Sequence, residues 1–397
     1  MASDSVSIFA EGTFEEQILE LVTYVARTRP EEERAAFIAP FQESLKTVES
    51  DDAKRAALQC VLKEVNGLGD GSEKEVEGFF NLLYAHLFAL YPDTKDQLSG
   101  LLTSISSTPA DRSPIAYRVL SNLFNSLPRS SPLRSVVYTT ILNLAVANDD
   151  LETLQLSQSE VSKWLSEWDI SDDEKAAFLK ALVDAFAKAG EPAQSYAYSL
   201  LYVQRLPASS DTAKSAAAQL IADALRLPST FDFDALFKLD AVIAVKTSDP
   251  ELFSLLQVFL NGGLKEFEAW QAGKEGVLTK YNLDSTSLTR KIRLLTLASL
   301  ASQHVGQNLA YTTISTALSI PVEETEKWTI DVIRAGLVWG KLSQNTQSLL
   351  VTRATPRKFE REEWELLEKR LVAWKEGLRS VLEVVAGAKR AAGVQSA

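Results

Sequence analysis

Apolar residues recur at helical spacing over most of the chain. From Thr13 to about Leu260 the pattern is one amphipathic helix after another, broken by short polar or proline-containing turns. Thr13 with Glu16, and Ser171 with Glu174, have the spacing of a capping box, which satisfies free N–H groups in a first helical turn. Alternating β-type runs do not occur in this region. The sequence therefore predicts a long all-α segment.

Proline is tolerated in the first turn of a helix but disrupts the helix interior. Its positions therefore help to locate helix starts. New helices are predicted directly after Pro30, Ser113, Pro132, Pro192 and Pro250. The strongest loop signals are residues 67–72 and 206–211. Successive starts lie roughly twenty residues apart, the length scale of TPR- and HEAT-like repeats. We therefore expect a right-handed helical-repeat solenoid, with an unordered helical bundle as the alternative.

The pattern changes after Asn282, where short elements of both kinds alternate. The predicted order is helix, strand, helix, helix and a two-stranded wing, at residues 289–305, 308–311, 312–319, 323–337, 337–342 and 348–353. This order is typical of a winged helix, in which the third helix is the one that DNA-binding versions insert into a groove. The predicted domains are helical repeats at 1–205, a helical part at 206–285, a winged helix at 286–358 and a C-terminal helix with tail at 359–397.

The last segment carries an apolar stripe with alternating spacings of three and four residues. Its members are Trp364, Leu367, Leu371, Trp374, Leu378, Val381 and Val385. A repeat of 3.5 residues over about three heptads is typical of a helix that packs against other helices. The helix is predicted from about Arg361 to Ala388, roughly 42 Å long. We expect helices of partner proteins to bury this apolar stripe. Packing of the stripe against the helical repeats of the same chain is the alternative.

Composition places the chain among globular proteins outside membranes. It has 397 residues, 46% of them hydrophobic, and a net charge of −12. No stretch reaches the roughly 18 apolar residues of a membrane span, and the N-terminus lacks the basic and apolar regions of a signal peptide. A single cysteine, Cys60, is typical of a reducing compartment. A cytoplasmic location is expected.

Catalytic and metal-binding constellations are missing. His86 lies in an apolar run and is interpreted as a core histidine, and His304 ends a helix, where it faces the helix dipole. With Cys60 these two cannot supply the ligands of a usual zinc site. Residues 273–280 contain glycine and lysine but not in the order of a phosphate-binding loop. We expect no enzyme activity, no metal and no cofactor.

The chain resembles the PCI-domain family, in which helical repeats run into a winged helix. The likeness rests on residues 289–300, 330–341, 343–344, 351–353, on Arg357 and Phe359, and on Trp364, Leu367, Leu371 and 374–375. PCI proteins are scaffold subunits of the proteasome lid, the COP9 signalosome and translation initiation factor three, and the string at 330–341 favours the last. The resemblance implies a non-catalytic subunit that supports recruitment of the small ribosomal subunit and mRNA. The signalosome, the lid and a PCI-type nucleic-acid adaptor are the alternatives.

The same resemblance implies which surfaces meet partners. Other PCI subunits and MPN subunits, including subunits F and H of initiation factor three, are the expected partners. The wing would offer a strand edge at Trp339, Leu349, Leu350 and Val351, and the apolar stripe would enter a shared helical bundle. Residues 289–361 hold ten basic and five acidic side chains. Among them, the candidates for contact with RNA or an acidic partner are Arg353, Arg357, Lys358 and Arg361.

Overall fold

The predicted fold class is confirmed: a helical solenoid precedes a winged helix and a long C-terminal helix. The computed structural model describes residues 12–46, 50–357 and 361–394. The chain divides into two compact units, Met1–Arg205 and Leu206–Ala397. Each unit has its own buried apolar core.

The first unit consists of helices that pack on near neighbours in the sequence. They are α1 Phe14–Ala26, α2 Glu31–Leu45, α3 Asp51–Glu64, α4 Glu73–Leu90, α5 Lys95–Ser106, α6 Ser113–Ser126, α7 Leu133–Asn148, α8 Gln158–Glu167, α9 Asp172–Lys188 and α10 Pro192–Arg205. Helix α1 contacts α2, α3 and α4, and further contacts join α4 to α6, α6 to α7, α7 to α9 and α9 to α10. Short-range packing of this kind is the property that defines a solenoid.

The local signals for helix starts were accurate. Thr13 caps α1 and Ser171 caps α9, each with the reciprocal glutamate bond of a capping box. The helices expected after the prolines and Ser113 are α2, α6, α7, α10 and a helix at Pro250–Asn261, and all begin within one residue of the prediction. One proline contradicts the rule, because Pro40 lies inside α2.

The second unit begins with further helices and ends with the winged helix and the C-terminal helix. Its helices are α11 Asp211–Arg226, α12 Asp234–Phe237, α13 Asp240–Ser248, α14 Pro250–Asn261, α15 Leu264–Gln271, α16 Glu275–Lys280, α17 Ser285–Gln303, α18 Tyr311–Leu318, α19 Thr325–Arg334 and α20 Arg361–Val394. Its strands are β1 Asn308–Ala310, β2 Val338–Ser343 and β3 Ser348–Ala354.

The three strands form an antiparallel sheet in the order β1-β3-β2, so β3 lies in the centre. The core beneath it joins Leu297 of α17, Ile314 of α18, Val332 of α19 and Val351 of β3, all fully buried. Helix α19 ends three residues earlier than predicted, because Gly336 has a positive φ of 71° that closes the helix.

Lys291 of α17 is a buried cation at the end of another helix. Its side chain is 3% exposed, and its Nζ donates to the carbonyl oxygens of Ala224 and Leu227, each at 2.6 Å. Those carbonyls belong to the last turn of α11 and the residue after it, where no intrahelical donor remains. The negative end of the helix dipole also favours a cation there. Lys291 therefore fastens the winged helix to α11.

Replacing Lys291 with Met should destabilise the protein by about 2 kcal/mol, because buried carbonyls lose their donor. Burial lowers the pKa of Lys291 from 10.5 to about 7. Between pH 7 and pH 10.5 Lys291 is protonated in the unfolded chain and deprotonated in the folded chain. The free energy of unfolding of the wild type therefore rises with pH in this range. Urea unfolding from pH 7 upward should show the gap between wild type and Lys291→Met widening. Lys327→Met, at an exposed lysine of α19, is the matched control. A gap that narrows with pH would contradict the burial of this group.

Candidate interaction surfaces

The most extended apolar surface belongs to α20. The helix has 34 residues, a length of about 51 Å at 1.5 Å per residue. All seven residues of the predicted stripe lie on it and are exposed, from 36% at Leu367 to 66% at Trp374. We call these seven residues the α20 seam: Trp364, Leu367, Leu371, Trp374, Leu378, Val381 and Val385. The described part of the chain leaves the seam exposed to solvent.

Sequence reasoning missed apolar residues beside the seam. Leu382 and Val384 are 68% and 69% exposed, and both flank the seam in the C-terminal half of α20. In the N-terminal half the corresponding flanking positions carry the charged residues Glu368, Arg370 and Lys375. Leu382 and Val384 could have been found from the wider i, i+3, i+4 pattern of an amphipathic helix. The stripe was defined by the narrower heptad spacing, which leaves them out. The apolar face is therefore broader toward the C-terminus.

Outside the seam, the described side chains of α20 include charged residues and a further exposed apolar residue, Val372. Arg361 pairs with Glu365 at 2.9 Å and Arg379 with Glu383 at 3.4 Å, each one turn along the helix. These exposed i, i+4 pairs support an isolated helix by a few tenths of a kcal/mol each. A hydrogen bond also runs from Arg370 to the carbonyl oxygen of Ser302 in α17, at 2.8 Å. The seam is thus presented on a helix with its own local stabilisation.

The assignment of an exposed strand edge to β3 was wrong. Leu349 and Val351 are fully buried, and Leu350 is paired on both sides, with Asn308 of β1 and Lys341 of β2. A central strand has no unpaired backbone to offer to another subunit. These three residues hold the sheet together.

The outer strand of the wing is β2. Among the described strands, none pairs with its outer side. Trp339 and Leu342 of β2 are exposed, and the guanidinium of Arg353 lies 4.5 Å from the ring centre of Trp339. The sheet register shifts between Trp339 and Gly340, where an added Cβ would lie 2.5 Å from the carbonyl oxygen of Leu350. Glycine is therefore required at this β-bulge, and Trp339 is the one predicted wing residue that is exposed on an edge strand.

The basic cluster after the wing is not a continuous surface. Arg357 is a structural residue: its guanidinium donates to the carbonyl oxygens of Leu295, at 3.1 Å, and Gly262. Burial lowers its pKa to about 10. Its assignment as an RNA contact was wrong, because these backbone bonds occupy the donors that a phosphate would need. Arg353 lies against Trp339, Arg361 is paired with Glu365, and Lys358 lies outside the described residues.

The third helix of the winged helix has an acidic beginning. Glu323 and Glu324 are exposed just before α19, and Asp331 within it pairs with Arg290 of α17 at 2.8 Å. Negative charge at this end repels the phosphates that a groove-binding helix must approach. The geometry of a winged helix is present, with exposed acidic side chains at the start of its third helix.

Both histidines pack within the fold, and the Nε2 of His86 is buried with no hydrogen-bond partner among the described residues. His86 makes an edge contact with the ring of Phe14 at 5.2 Å, and burial lowers its pKa. His304 lies with its Nδ1 2.9 Å from the carbonyl oxygen of Leu300. Within residues 12–46, 50–357 and 361–394, no group of His, Cys, Asp and Glu has the geometry of a metal site. Over the same residues, no helix is long and apolar enough to cross a membrane.

Two family models match the second unit. One, described as the PCI domain, covers residues 264–353, from α15 to β3. The other, described as the C-terminal helix of eIF3 subunit M, covers residues 357–385, including the whole seam. The sequence-based resemblance to PCI proteins is thereby confirmed.

Curated relatives extend the likeness to nearly the whole chain. Eukaryotic translation initiation factor 3 subunit M of Phaeosphaeria nodorum is 34% identical, over 97% of this chain and 89% of its own length. The proteins of that name from Aspergillus terreus and Coccidioides immitis are 35% and 34% identical, again over 97% of this chain, and over 88% and 89% of their own. Identity of this extent, with the PCI and C-terminal helix matches on the observed winged helix and α20, shows that the chain belongs to the family of eukaryotic translation initiation factor 3 subunit M.

Proposed function

We propose that this protein is a non-catalytic scaffold subunit of the initiation factor 3 complex. It holds other subunits through the α20 seam and the outer edge of β2. The observation that carries the proposal is the seam, seven apolar side chains exposed along one face of a single helix. An exposed apolar surface of this extent is a liability for a free monomer and is typical of a partner-binding site.

The energetics of the seam favour a permanent partner. Burying a large apolar side chain contributes ~1.5 to 3 kcal/mol, so the seam can supply a strong interface after the costs of association are met. Trp364 and Trp374 are the expected hot spots, since tryptophan dominates the binding energy of many interfaces.

The two halves of the seam are suited to different surroundings. In the N-terminal half, Glu368 and Lys375 border the stripe, so one partner helix covers it while the borders stay in water. In the C-terminal half, Leu382 and Val384 widen the apolar face, which requires more than one neighbouring helix. This division supports insertion of the helix end into a multi-helix bundle.

The proposed partners are other PCI subunits and the MPN subunits F and H of the complex, which then binds the small ribosomal subunit and supports mRNA recruitment. The family membership supports this choice over the COP9 signalosome and the proteasome lid. Direct RNA binding by the winged helix is not part of the proposal, because Arg357 is occupied and α19 begins with acids.

Changing Trp364 and Trp374 together to Ala should weaken incorporation into the complex by at least about thirtyfold, the effect of losing a hot spot of 2 kcal/mol. Melting of the free protein should change little, since each ring is more than 60% exposed. Co-purification with the other co-expressed subunits measures incorporation. Lys369→Ala with Lys375→Ala, on the charged faces of the same helix, is the control.

Ending the chain at residue 360, before α20, gives the complementary experiment. The expected result is unchanged melting of the remaining chain, with incorporation lost. If the truncated chain instead melts at a lower temperature and enters the complex normally, α20 packs on its own protein and the scaffold role of the seam is wrong.

Leu342→Lys should weaken the wing contact by about fivefold, equivalent to ~1 kcal/mol, because a lysine on an edge strand opposes pairing with another strand. Leu342 is exposed on β2, so the fold is expected to tolerate the change. Proline at Leu350 is unsuitable as a probe, since it would break a strand that is paired on both sides. Binding to purified PCI subunits is compared with that of Gln344→Lys, in the adjacent turn. Equal affinity for the two variants would remove β2 from the interface.

A further inference from the structure

A cleft of about 630 Å³ lies between the end of α11, the start of α17 and the last turn of α19. Basic and hydroxyl side chains line it, and Phe231 and Leu294 supply an apolar part of its surface. The polar members are Arg226, Ser229, Ser287, Arg290, Lys291, Asp331 and Arg334. All of these residues belong to the second unit, and none is part of the α20 seam or of β2.

Positive charge exceeds negative charge in this cleft, although the whole chain carries −12. Arg226 pairs with Asp223, and Arg290 pairs with Asp331, each at 2.8 Å. Lys291 faces backbone carbonyls in the interior. Arg334 is exposed, and within the described part of the chain it has no ion pair. Three exposed basic side chains, Arg226, Arg290 and Arg334, therefore meet two carboxylates, which leaves capacity for a further anionic group.

We propose that this cleft binds an acidic segment of a partner protein, in which carboxylates flank an apolar side chain. Arg334 and Arg290 receive the carboxylates, as Arg290 already does with Asp331. Arginine suits this role because its planar guanidinium can hold more than one carboxylate oxygen. The apolar side chain of the segment covers Phe231 and Leu294, which border the basic groups.

The surroundings of the cleft favour a peptide over RNA. Glu323 and Glu324 lie at the opposite end of the third helix, about 15 Å from Arg334 along its axis. A nucleic acid strand long enough to bind firmly presents successive phosphates, and these acids repel those that extend along α19. A peptide needs only a few carboxylates at the cleft itself. This proposal does not depend on the scaffold role of α20, because the two surfaces share no residue.

The test uses the purified full chain and a fluorescein-labelled peptide of Glu and Asp residues around a central Leu-Phe pair, with binding followed by fluorescence anisotropy. Arg334→Glu should lower the affinity about tenfold, and Arg334→Gln by less, because reversal adds repulsion to the lost attraction. Lys327→Glu makes the same charge change on the same helix at a residue outside the cleft. It should alter the affinity by less than about twofold. The three variants change two exposed positions, Arg334 and Lys327, and melting curves check that they fold.

Saturable binding that Arg334→Glu weakens and Lys327→Glu does not would support the proposal. Three outcomes would overturn it: no binding of the peptide by the folded wild-type chain, equal losses in the two charge reversals, or displacement of the peptide by a single-stranded RNA that binds more tightly. Incorporation of Arg334→Glu through the α20 seam should remain normal, which separates failure here from failure of the scaffold proposal.

Discussion

Two buried cations hold the winged helix to the helices that precede it. Lys291 places its ammonium on the terminal carbonyls of α11, and Arg357 places its guanidinium on Gly262, directly after α14, and on Leu295 of α17. Lys291 and the Gly262 bond of Arg357 satisfy carbonyl oxygens at helix ends, which lack intrahelical donors, whereas Leu295 lies within α17. Leaving a buried carbonyl oxygen without a donor costs more free energy than an ordinary hydrogen bond contributes. Loss of either side chain would therefore destabilise the fold. The two side chains set the position of α17, on which the sheet, α18 and α19 pack.

This arrangement reduces the number of basic side chains in the winged helix that are available to a nucleic acid. Lys291 and Arg357 are used inside the fold, Arg290 is paired with Asp331, and Arg353 lies on Trp339. The helix that would enter a groove begins with Glu323 and Glu324. Exposed positive charge in this region includes the cleft beside Arg334, whose scale suits a few carboxylates of a protein partner.

The surfaces that remain for assembly differ in physical character. The α20 seam is long and apolar, and its binding energy comes from removing large side chains from water. The outer side of β2 offers backbone hydrogen bonds, with Trp339 and Leu342 as its exposed side chains. The basic cleft relies on charge. A subunit with three such surfaces can contact several neighbours. Because the surfaces differ in character, a partner that fits one of them fits the other two poorly.

Local sequence signals located many of the helices, because helix caps, proline starts and heptads depend on residues a few positions apart. Thr13 with Glu16, Ser171 with Glu174 and the 3.5-residue stripe of α20 were all readable in this way. The strands of the wing were also located, but their order was not. Leu349 and Val351 became core residues because β1, some forty residues earlier, pairs with β3.

Only the tertiary structure decided the fate of Arg357. In the sequence it stands in a basic cluster beside Arg353, Lys358 and Arg361, whereas its hydrogen-bond partners Leu295 and Gly262 lie 62 and 95 residues away. The same holds for Lys291, which reaches carbonyls 64 and 67 residues back along the chain. Whether a charge is buried or exposed depends on what packs against it, and no local pattern records a contact made across such distances.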